Sequence, residues 1–136
     1  MHYHNYMEPS ETVSLASPRA GDGELRVAIS NAIVQVHREY FGKVPTKART
    51  YLMDDLIVTV MHGAATRLEQ TLAEAGEKDR VREVRQAFQD SLDVVFVAKV
   101  EQLTGRRVAA FLSQSSVDPD VSVEVFILEP DESARE

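Results

Sequence analysis

Three cations, Lys43, Lys47 and Arg49, crowd one short stretch around Thr46 in a chain whose formal net charge is −7. A second group, Arg106 and Arg107, holds the corresponding place in the second half of the sequence. Ammonium and guanidinium groups gathered on loops can hold a carboxylate, a phosphate or an acidic partner surface. If the two halves pack symmetrically, the loops meet at one end of the molecule and form a shared anion site. The competing expectation is plainer: these long side chains solvate the C-terminal ends of two helices, where positive charge is favoured.

Other chemistries find less support. Gly42-Lys43 suggests a phosphate loop, but His37 stands where the earlier glycine is needed and Val44 where the hydroxyl should follow. Asp54, Asp55, Asp118 and Asp120 could line a cation site at two hairpin tips, although aspartate is also the ordinary turn residue. His2 and His4 flank Tyr3 and make only two ligands for a soft metal. His37 and His62 stand alone. No serine has a placeable base and orienting acid, and the chain has no cysteine. Arg85 is expected to pair with Glu69, Glu74 or the C-terminal acids as a scaffold contact. The expectation is a protein that is not an enzyme, with no cofactor and no metal.

The elements that position these residues follow from periodicity. At 136 residues, 43% hydrophobic and 27% charged, the chain suits one domain. Fifteen basic residues against 22 acidic ones argue against nucleic-acid binding. No apolar run approaches the roughly 20 residues needed to span a bilayer. Residues 1–23 lack the basic-then-apolar order of a secretory signal. A soluble cytoplasmic protein without direct membrane insertion is therefore expected.

Residues 1–23 and 131–136 read as disordered tails around a domain at 24–130. Leu25, Ile29, Ile33, Val36 and Tyr40 mark one face of a helix, with Asp22 to cap it and Gly42 to end it. Thr46–Met53 and Leu56–Met61 read as strands joined at Asp54-Asp55. A short helix spans Ala64–Ala75 and a long one Lys78–Leu103, ended by Gly105. Arg107–Ser115 and Val121–Leu128 read as the last strand pair. In the last of these, Val121, Val123, Val125 and Ile127 share one face, while Ser122, Glu124, Phe126 and Leu128 share the other.

The result is an α+β domain in the order α-β-β-α-α-β-β. Two αββ units combine into one four-stranded antiparallel sheet with helices on one face, an arrangement expected to satisfy every apolar stripe. Val94, Val97 and Ala98 form a second stripe on the long helix and motivate a homodimer.

FGKVPTKARTYLMDDLIVTVMHG, then Thr66 to Glu69, VREVRQAF, LTGRRVAAFLSQSSVDPD and VEVFILEP resemble, in order and spacing, the small MpsC-like bacterial proteins. The motif positions are Gly42, Lys43, Pro45, Thr46, Lys47, Gly63, Thr66, Glu69, Arg85, Gly105 and Arg106. The resemblance implies a soluble accessory protein that accompanies integral membrane transporter subunits of a sodium-translocating, membrane-potential-generating system. It supplies no catalytic residues. The alternative is a regulator that binds a small anion or a nucleotide between the basic loops at 43–49 and 106–107.

Overall fold

The computed structural model describes residues 21–131. The first helix, α1 (Asp22–Phe41), buries Ile29, Ile33 and Val36 along one stripe. Gly21, rather than Asp22, occupies the N-cap. Asp22 and Glu24 fall instead in the first turn, where the helix dipole favours carboxylates. Gly42 closes the helix in the left-handed conformation, its N–H donating to the Arg38 carbonyl at 3.2 Å.

Strands β1 (Lys47–Met53) and β2 (Leu56–His62) form the first hairpin. Helix α2 (Arg67–Glu74) is shorter than its alanines suggested. Thr66 starts it with a reciprocal cap: the Glu69 N–H donates to Thr66 Oγ1, and the Thr66 N–H donates to Glu69 Oε1. Ala65 is diverted from the helix because its N–H donates to the Asp120 carboxylate at 3.1 Å. Helix α3 (Lys78–Thr104) then runs unbroken through its β-branched second half. Strands β3 (Val108–Ser116) and β4 (Val121–Leu128) complete the chain.

The sheet order is β1-β2-β4-β3, and every neighbouring pair is antiparallel. The second strand of each αββ unit therefore lies at the centre. Helices α1 and α3 cover one face. Ser30 on α1 bonds Thr50 on β1 at 2.7 Å. From α3, Phe96 stacks on Phe111 of β3 at 5.5 Å, and Phe111 meets Phe126 of β4 at 4.8 Å.

The faces of β4 settle what lies inside. Ser122, Glu124, Phe126 and Leu128 point at the helices and are buried. Val121, Val123, Val125 and Ile127 point away. The helices thus do not satisfy every apolar stripe: one valine-rich face of the sheet carries no covering element among the described residues. The covered face instead holds a row of polar side chains, Thr50, Thr59, Glu124 and Ser113, which are successive cross-strand neighbours through all four strands. Thr50 and Thr59 bond each other at 2.8 Å.

Gly63, which follows β2, has φ 70° and lies so close to β1 that an added Cβ would stand 2.5 Å from Thr46 Oγ1. Thr46 cannot retreat cheaply, because its N–H and hydroxyl both donate to the His62 carbonyl. Gly63→Ala is expected to cost about 1–3 kcal/mol in denaturant unfolding, from the strained backbone alone. A loss of only a few tenths would show that the backbone at residue 63 relaxes out of the left-handed region.

Candidate functional site

The two basic loops lie at opposite ends of the sheet. Lys47 pairs with His62, His62 with Val121 and Val121 with Ser116, which defines one end. Lys43 and Thr46 lead into Lys47 at that end. Arg49 lies two strand steps inward, its guanidinium 5.7 Å from the Tyr51 ring centroid. Arg106 and Arg107 precede β3 at the other end, where Val108 pairs with Leu128. Six strand steps, roughly 20 Å, separate the ends.

The expected shared anion site is therefore overturned, and with it the ligand bridging residues 43–49 and 106–107. Arg106 is already engaged: its Nη2 reaches Asp55 Oδ1 at 2.6 Å and the Glu129 carbonyl at 2.8 Å. The Arg107 carbonyl accepts the Glu129 N–H.

The aspartates divide in the same way. Asp54 and Asp55 turn the first hairpin beside Arg106. Asp118 and Asp120 lie at the far end, Asp118 in a surface pair with Lys78 and Asp120 holding Ala65. They do not converge on a cation. Among the described residues no cluster of metal-binding side chains occurs. His2 and His4 lie outside the described residues.

What gathers at the Lys47 end is a different set, built around Arg85. This side chain is 3% exposed and forks onto Glu69, with Nε to Oε2 at 2.8 Å and Nη2 to Oε1 at 2.7 Å. Nη2 also donates to the Ala64 carbonyl at 3.1 Å. The guanidinium lies 4.8 Å from the centroid of Phe41 at the end of α1. One cation thus fastens α1, the β2–α2 connection, α2 and α3 together. Of the partners the sequence offered for Arg85, Glu69 is the one chosen, because the Thr66 cap has already fixed its carboxylate.

Above this pair lies an open groove of about 320 Å³ whose walls are Tyr40, Leu68, Val84 and Phe88. All four are exposed, Leu68 at 69% and Val84 at 60%. Phe88 packs edge-on against Phe41 with centroids 4.7 Å apart, so α1 and α3 meet at the groove floor. The groove is apolar above and rigidly ionic below.

A second polar feature has no counterpart in the sequence reading. His37 and Glu124 are each fully buried, and His37 Nε2 stands 3.7 Å from Glu124 Oε2. That separation is too long for a hydrogen bond. His37 stacks on Phe41 with centroids 4.8 Å apart. On α3, burial raises the pKa of Asp93, and the charges of Asp90 and Glu124 raise it further. The signal for this pair was the company Glu124 keeps: Phe126 and Leu128 share its face, and their bulk marks the core side.

Burial pushes the Glu69 pKa up, but the Arg85 fork and the Thr66 N–H outweigh it, leaving the carboxyl below its ordinary value of 4.5. Its contribution to stability is therefore present above that value and lost as pH falls through the lower, folded one. Glu69→Gln should flatten the acid limb of a stability-versus-pH curve. Arg85→Ala leaves the buried carboxylate unpaired and should cost about 3–5 kcal/mol, while Arg85→Lys, lacking the fork, recovers only part. Glu124→Gln, which breaks no hydrogen bond, should change stability by less than about 1 kcal/mol. Equal losses for Arg85→Ala and Glu124→Gln in urea unfolding would contradict this ranking.

No solved structure matches the chain. Among curated proteins it is similar to YrhF, an uncharacterized protein of Bacillus subtilis (strain 168), with 24% identity over 102 residues, covering 74% of this chain and 84% of that protein. A family model described as the Na+-translocating membrane potential-generating system (MpsC) matches residues 21–130, and the chain belongs to the MpsC family.

Proposed function

We propose that this protein is a non-enzymatic accessory protein of a membrane ion-transport or membrane-potential-generating system. In this reading it acts from the cytoplasm and reaches the membrane through a protein partner. The observation that carries the proposal is the groove of Tyr40, Leu68, Val84 and Phe88 over the Arg85–Glu69 pair. The family description supplies the kind of system.

Exposed apolar side chains are ordinary when scattered, whereas four large ones around one concavity support the reading of an interaction surface. Burying one such side chain contributes about 1.5–3 kcal/mol, so this small patch can hold a partner segment. The occupant it suits is the apolar face of a helix belonging to a membrane-embedded subunit, with anchors at i, i+3 and i+4. No described helix of this chain is long and apolar enough to cross a membrane itself. The ion pair keeps α2 and α3 at fixed separation, so the walls need little ordering when the partner arrives.

Flotation of the full chain with inverted membrane vesicles from its own host tests this. Binding is expected to disappear when the vesicles are shaved with protease, and to be absent on protein-free vesicles of the same lipids. Leu68→Asp and Val84→Asp, both on exposed positions, should abolish it while leaving the circular dichroism spectrum unchanged. Undiminished binding of these variants, or equal binding to bare lipid, would overturn the proposal.

A further inference from the structure

Two of the four cross-strand rows on the uncovered face of the sheet are apolar from edge to edge. One row runs Tyr51, Val58, Val125, Leu112, and the next runs Met53, Leu56, Ile127, Ala110. A third, Arg49, Val60, Val123, Gln114, has a valine pair at its centre. Leu112 is 58% exposed, and Tyr51 and Ile127 are exposed as well. Antiparallel sheets that face water on one side place polar residues there. This one turns most of its valines outward, while Thr50, Thr59, Ser113, Ser122 and Glu124 share the covered face with Ile57, Met61, Phe126 and Leu128.

We propose that this face is the interface of a homodimer in which two copies pack sheet against sheet. Size supports a second copy as the occupant. Four strands about 4.8 Å apart and seven residues long give a flat footprint of roughly 400 Å² per copy. Side-chain relief raises the accessible area above that figure, so two copies reach the range of roughly 1,000 Å² in total where specific interfaces begin. Two such faces pack about 10 Å apart with strands near −30°, as in β-sandwiches.

Charge supports it too. The outward strand positions carry no acid, and Lys47 and Arg49, both on edge strand β1, are their only Lys or Arg side chains. A two-fold axis along the strands lays β1 of one copy over β3 of the other, so the cations meet Gln114 and Ser116. An axis across the strands lays β1 over β1 end for end, so Lys47 meets the Met53 end. In neither arrangement does a cation face its own image, and the neutral centre closes on itself. The helix layer and its groove then point outward on both copies, so this interface stands or falls independently of the partner reading above. The site also moves the expected dimer contact away from α3: Val94 is 78% exposed but lies outside this face.

Light scattering across a dilution series of the full chain should show a dimer that dissociates on dilution. Val125→Lys should shift it to monomer with an unchanged circular dichroism spectrum, and Val94→Lys should leave it dimeric. Because the chain has no cysteine, single substitutions offer a second readout that needs no charge in the interface. A short bismaleimide should link Val58→Cys copies into dimers and leave Val94→Cys copies unlinked. A monomer at every concentration would overturn the proposal, whether the face is then covered by the chain's own residues 1–20 or by lipid. So would a dimer that survives Val125→Lys, or one that crosslinks only through Val94→Cys.

Discussion

Seven consecutive residue pairs, from Leu56 with Ile127 to His62 with Val121, join the two hairpins through their second strands. Because those strands run in opposite directions, the two αββ units are related by a half-turn about an axis normal to the sheet. Each unit delivers its helix to the same face, where α1 and α3 lie side by side. The same half-turn sends every equivalent junction to opposite ends. Gly42 and Gly105 both close a helix in the left-handed conformation, and both hand the chain to an outer strand, yet the basic residues that follow them point apart.

That geometry explains what was legible in the sequence and what was not. The order of elements could be read because each signal is local: a helical stripe from Leu25 to Tyr40, hairpin aspartates, a terminating glycine at 105. The echo between the halves was legible as well. The direction of the symmetry was not, since either a shared or a split arrangement of the cations repeats the same pattern along the chain. The decisive fact is which strands meet at the centre, a long-range pairing that no local spacing encodes. Arg106 was then claimed by Asp55, a residue 51 positions away.

The inward face of β4 was partly legible. Alternation divided Ser122, Glu124, Phe126 and Leu128 from the valines, and hydrophobicity alone favours putting the valines inside. Volume overrides it: Phe126 fills the space below Phe111 and Phe96 as no valine could. Glu124 is carried inside by its neighbours on the same face and meets His37, a residue that periodicity places on α1 beside Val36. Arg85 is the opposite case. Its buried charge forks onto Glu69 through Nε and Nη2, one of the partners the sequence offered, and the capping box that selects this carboxylate came to light only with the helix start at Thr66.

The capping box has a consequence for how the molecule loosens. Helix α2 has eight residues, too few to persist alone in water, and it leans on α3 rather than on the sheet. Its hold on the body is the Thr66–Glu69–Arg85 chain and the grip of Asp120 on Ala65. This segment is therefore expected to open as its own cooperative unit, and protonation of Glu69 favours that opening. As pH falls below 4.5 and through the lowered pKa of Glu69, its amides would exchange with deuterium well before those of the four strands, and the groove wall that carries Leu68 would fray while the sheet stayed whole.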